Sequence, residues 1–213
     1  MHFTAQFAPQ ILAAMTAILT ITAITMLLRG LLKKTSQPYV WAWVIRGGLC
    51  AIALLSQLAG GATYSLMLSG TQLTGCFLIV GLLLYRRPKA SHLSRIDWMA
   101  IATACAGVAW WQISGNPLYG LLGVLTADAS ATALGIRASL LRRASESLPF
   151  WLLSLAASCA AVLSAGDASM VVLLAPLFSC SNAIANILAI AYVRARKRRT
   201  MYEQTAVVEA DPA

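Results

Sequence analysis

The chain has 213 residues, of which 59% are hydrophobic and only 11% charged, with a net charge of +9. An ordinary soluble domain carries about 25% charged residues, so this composition excludes one and points to an integral membrane protein. The positive charge does not indicate nucleic acid, because it sits in clusters beside apolar runs with no interleaved aromatics.

A helix that crosses a bilayer needs about 20 apolar residues. Seven such runs occur, over 8–30, 39–59, 62–85, 96–114, 117–141, 149–165 and 170–193, so the expected fold class is all-α integral membrane with seven transmembrane helices. The first run has no basic residues before its apolar stretch and reads as a retained helix rather than a signal peptide. It ends at Arg29, Lys33 and Lys34. The second starts at Pro38-Tyr39-Val40-Trp41-Ala42-Trp43, carries Arg46, and ends in an uncharged Ala-Gly-Gly-Ala loop. The third closes on Arg86, Arg87, Lys89 and Arg95. The fourth opens at Asp97-Trp98, ends at Trp110-Trp111, and is followed by uncharged Gly115-Asn116. The fifth begins at Pro117, holds Asp128 near its middle, and ends at Arg142 and Arg143. The sixth begins at Leu148-Pro149-Phe150-Trp151, and its following loop holds only Asp167. The seventh carries Asn182 and Asn186 and ends in Arg194, Arg196, Lys197, Arg198 and Arg199. The polar tail 200–213 is expected to be disordered.

Loops with basic residues and loops without them alternate without exception. Lysine and arginine stay on the cytoplasmic side, which predicts a multi-pass membrane protein with its N-terminus outside and its C-terminus in the cytoplasm. The spacing also repeats. Pro9 to Arg29 and Pro117 to Arg137 are each 20 residues, and helices 2 and 6 both start with proline and aromatics. This predicts a membrane domain over 1–199 built as a parallel 3+1+3 repeat: unit one at 8–85, a linker helix at 96–114, and unit two at 117–193.

Charge inside an apolar run marks the candidate site. Asp128 lies about 16 Å into its helix at 1.5 Å per residue, and Arg46 about 10 Å into its own. Asp128 reads either as a solute or proton site, or as a carboxylate held by Thr126, Ser130 or Thr132. Arg46 either pairs with Asp128 or snorkels to the interface. Asn182 and Asn186 are four apart and share a face, suited to binding a polar solute or to joining helices. Gln57, Gln72 and Gln112 pose the same choice, and Trp111 is either interface belt or stacking surface. The substrate-binding candidates are therefore Asp128, Asn182, Asn186, Arg46, Gln72 and Trp111. Gly47-Gly48, Gly60-Gly61, Gly70 and Gly75 are expected to let helices 2 and 3 approach closely. Cys50, Cys76, Cys105, Cys159 and Cys180 read as small buried residues. His2 and His92 have no local metal partner. Hydrolase, zinc and nucleotide-binding motifs are missing, and no lysine lies inside helix 7 for a retinal. The reading expects no enzyme, no cofactor and no metal.

The three-one-three layout resembles the SWEET, PQ-loop and PnuC type of heptahelical carriers. Pro9-Gln10 matches a PQ dipeptide, whereas the second unit reads Asn116-Pro117-Leu118. The Pro38-to-Trp43 start of helix 2, Asp97-Trp98, Trp110-Trp111, Asn116-Pro117, Asp128 and Glu146-Ser147 together resemble a set of uncharacterised bacterial seven-helix inner-membrane proteins. Those proteins place Pro-Thr after the helix 5 aspartate. Here Ala131-Thr132-Ala133 stands there, so no proline hinge is implied. The resemblance implies a small secondary carrier or facilitator for a polar metabolite; the alternative is a non-transporting subunit that scaffolds or regulates a partner. The expected partners are the bilayer and a small polar solute, with a homo-oligomer permitted by the glycines and not required.

Overall fold

The computed structural model describes residues 2–36, 38, 40–61, 64, 66–86, 95–140, 147–165 and 170–210. Arg87, Lys89, His92, Arg142, Arg143, Glu146 and Asp167 lie outside the described residues, as do the side chains of His2, Asp97, Lys197, Arg198 and Arg199. Seven helices and no strand occur among the described residues. They are α1 (His2–Leu32), α2 (Val40–Ala59), α3 (Leu66–Tyr85), α4 (Arg95–Ser114), α5 (Pro117–Leu140), α6 (Leu148–Ala165) and α7 (Met170–Ala210). Six of them, all but α4, hold a described stretch long and apolar enough to cross a membrane.

Local chemistry sets the boundaries. Gly115 ends α4 with φ +68°, a conformation that costs glycine little, and its N–H donates to the Trp111 carbonyl at 2.8 Å. One residue on, the Asn116 side-chain oxygen accepts from the Leu118 N–H at 3.0 Å and caps the start of α5. At the far end of α1, the Arg86 guanidinium donates to the carbonyls of Leu31 and Leu32, which have no donor within their own helix. Helix α7 runs on through positions 200–210, where the sequence suggests a disordered tail over 200–213. Nothing between Arg196 and Ala210 breaks it: the stretch has neither glycine nor proline and is rich in good helix formers.

Helix α3 lies between α1 and α2, and α7 lies between α5 and α6. The two groups meet along α1 against α6 and α2 against α5, while α4 packs mainly on α5. A large apolar cluster fills one half of the bundle, with Leu27, Leu31, Trp43, Ile79, Leu83, Phe150, Trp151 and Ile190. A second joins α2 to α5 through Ile45, Leu49, Val124, Ala127 and Ala131. A third, with Leu68, Ala157 and Ala161, lies toward the other end.

The outer surface is apolar as well. Phe77 is 66% exposed and Leu163 68%, with Ile11, Ile18, Leu84 and Leu188 exposed alongside them. Outward threonines hide their hydroxyls: Thr22, Thr25, Thr103 and Thr126 each donate to the carbonyl four residues back, at 2.7 to 2.9 Å. A surface of this kind belongs in hydrocarbon, where every polar group must be satisfied internally.

The glycines act elsewhere than expected. A Cβ on Gly48 or Gly70 would meet nothing within 4 Å, and one on Gly47 would make ordinary contact with Cys76. Tight approaches occur at Gly75, against Ile24 of α1, and where Gly107 of α4 crosses Gly123 of α5.

Candidate functional site

Arg46 is residue 7 of the 20 in α2, and Asp128 is residue 12 of the 24 in α5. Because α2 and α5 pack side by side, the two meet. The Arg46 Nε donates to Asp128 Oδ1 at 3.1 Å, with the side chains only 14% and 16% exposed. Its Nη2 donates to the Thr132 hydroxyl at 3.1 Å, one turn along α5. The guanidinium carbon also lies 5.5 Å from the Trp43 ring centroid and 5.4 Å from that of Trp151. A planar, weakly hydrated cation suits such a place, since it forks toward oxygens in its plane and stacks on rings.

Helix α7 completes the network. The Asn182 Nδ2 donates to the other carboxylate oxygen, Asp128 Oδ2, at 3.2 Å. The Asn182 Oδ1 accepts from Thr132 at 2.9 Å and from Asn186 at 2.8 Å. The four-residue spacing that placed Asn182 and Asn186 on one face thus produces a direct bond between them. Both oxygens of the carboxylate have donors, which offsets much of the cost of burying it. Higher on α7, the Ser179 hydroxyl accepts from Gln72 of α3 at 3.1 Å.

Open space adjoins this network. A cavity of about 70 Å³ is lined by Arg46, Asp128, Asn182, Gln72 and Ser179 together with Thr20, Ser154, Cys50, Cys76 and the rings of Trp43, Phe150 and Trp151. It has room for about two waters, at the roughly 30 Å³ each takes up in the liquid. A second cavity, of about 50 Å³, shares Arg46, Cys50, Gln72, Asp128 and Ser179 and extends past Ala53, Leu68 and Ser69. Toward the α2 start the first cavity ends in packed aromatics: Phe150 lies edge-on to Trp43 at 5.7 Å and to Trp151 at 5.0 Å.

Five of the six sequence candidates are therefore brought together: Arg46, Asp128, Asn182 and Asn186 in one network, and Gln72 beside it. Trp111 stands apart, its ring against Gly120 of α5. Gln112 is exposed. Sequence reasoning passed over Trp43 and Trp151 as site residues, treating them as aromatics at helix starts. The i, i+3 spacing of Trp43 and Arg46 was the available signal for the first. Among the described residues no group of three or more histidine, cysteine or acidic side chains could hold a metal.

No protein-family model, no curated protein and no solved structure matches this chain.

Proposed function

We propose that this protein is a small secondary carrier or facilitator that moves a polar metabolite across the bacterial inner membrane, with Arg46, Asp128, Asn182 and Gln72 at its solute site. One observation carries the reading. A guanidinium, a carboxylate and amides sit beside a cavity with room for water, midway along helices apolar enough to span a bilayer. Ionisable groups at that depth are costly and occur chiefly on solute, ion or proton paths.

The packing supports two three-helix units with α4 as a seventh span linking them. Among those six helices, exchanging α1, α2 and α3 for α5, α6 and α7 turns each principal contact into another that is present: α1 against α6 becomes α5 against α2, and α3 beside α1 and α2 becomes α7 beside α5 and α6. A site between such units is what alternating access by rocking requires. Arg29, Arg86, Arg137 and Arg194 stand at one end of the helices, which supports a cytoplasmic C-terminus. With no nucleotide-binding motif in the sequence, transport runs down a gradient or with a coupled ion.

The test is a thermal-shift screen of polar metabolites on purified protein. A solute at about 100 times its Kd stabilises the fold by about 2.7 kcal/mol. The expected result is a rise in melting temperature that shrinks in Asp128→Asn. A rise equal in both proteins removes Asp128 from the site. A screen with no rise at all favours a scaffolding subunit.

A further inference from the structure

Gln57 is the most unusual polar residue outside the network. Its side chain is 0% exposed, and among the described residues neither Nε2 nor Oε1 has a hydrogen-bond partner. The neighbouring Ser56 hydroxyl is equally buried and, among the described residues, also without a partner. A buried amide left this way loses its water and gains nothing, so it destabilises the fold. Natural structures keep few such groups, and each calls for an explanation such as a bound water or ligand.

Its position supplies one. Arg46, Cys50, Ala53 and Gln57 follow at intervals of four, three and four, so they form one stripe along α2. The first three line the second cavity, with Ser69, Gln72 and Ser179 opposite them. Gln57 is one turn beyond Ala53, at the end of α2 away from the arginine-rich end of the bundle. Helix α7 lacks one of its ordinary backbone hydrogen bonds there. Pro176 is fully buried, and its nitrogen has no hydrogen to give the Val172 carbonyl. Gln57 is eleven residues past Arg46, and Val172 is ten before Asn182, on helices that run in opposite directions. Arg46 and Asn182 share one carboxylate, so Gln57 and Val172 both lie about 15 Å from that level, toward the same end.

We propose that Gln57 is a second polar station, which binds an uncharged group offering both a hydrogen-bond donor and an acceptor on a route past Ser69, Gln72 and Ser179 to Asp128. The amide provides one donor and one acceptor edge, so its complement is a hydroxyl, a primary amide or water. A net charge does not suit it. Among the described residues lining the second cavity only Arg46 and Asp128 are charged, and they neutralise each other, so a charged ligand held between that cavity and Gln57 would be buried without a counter-ion. The inference rests on the carrier reading and adds to it a place and a ligand chemistry.

Stopped-flow light scattering on proteoliposomes tests it. A hyperosmotic jump with glycerol or urea gives a shrinking phase, which reports water, and a re-swelling phase, which reports solute. Wild-type protein should speed re-swelling over protein-free vesicles for glycerol or urea, and not for choline chloride or sodium lactate. Gln57→Met should lower that excess rate about tenfold, the equivalent of one lost hydrogen bond, and Gln57→Asn should keep part of it. The melting temperature of Gln57→Met should not fall, because no native hydrogen bond is removed. A slowed shrinking phase in the variant assigns the site to water, and an unchanged one assigns it to the solute; both support the station. Equal rates for wild type and Gln57→Met in both phases, or a lowered melting temperature, overturn it. Wild-type vesicles indistinguishable from protein-free ones in both phases overturn the carrier reading, and the station with it.

Discussion

At the scale of single residues, Arg46 owes its depth to the number of groups that receive it. One carboxylate oxygen, one hydroxyl and two indole faces surround it, and a lysine, with no planar fork, could not serve all four. Removing either charge strands the other, so Arg46→Ala and Asp128→Ala should each cost about 3–5 kcal/mol. The double variant should cost clearly less than their sum, because it strands nothing. Reversible unfolding in detergent measures all three; a simple sum would mean that the two side chains do not interact. This pair was legible in the sequence because charge is rare in an apolar run, and because depths of about 10 Å and 16 Å counted from opposite faces of a core about 30 Å thick bring the two residues to nearly one level. Thr132 was legible only as a neighbouring hydroxyl. That it bridges Arg46 to Asn182 depends on which face α7 presents to α5, and no local spacing encodes that.

At the scale of elements, the helices were readable and their closest contacts were not. Every apolar run of helical length became a helix, since length and hydropathy are properties of the run itself. Glycine contacts depend on the neighbour. Gly48 and Gly70 have open space where a Cβ would stand, whereas a Cβ on Gly107 would lie 2.6 Å from the Gly123 Cα and 3.1 Å from the Tyr119 carbonyl oxygen. Backbone cannot yield as a flexible side chain can. Gly107→Leu should therefore force α4 off α5 and lower the melting temperature by several degrees, whereas Gly81→Ala, with nothing within 4 Å, should leave it nearly unchanged. Equal melting temperatures for the two variants would show that α4 is not seated at this crossing.

At the scale of the whole molecule, the polar network lies where α2, α5 and α7 converge, and the cavity beside it also reaches α1, α3 and α6. Only the assembled bundle creates that space, which is why composition and spacing pointed to its charged residues and not to its walls. In the proposed carrier this space takes up water and solute rather than merely burying a structural ion pair. Cys50 reports on it directly, because its thiol lines both cavities, while Cys105 is exposed on the outer surface of α4. Two single-cysteine proteins, one keeping Cys50 and the other Cys105, should be reconstituted and treated with a charged, membrane-impermeant methanethiosulfonate. Cys50 should react much faster than Cys105, and a bound solute should slow it. Labelling of Cys50 no faster than that of outward-facing Cys105 would contradict the carrier proposal.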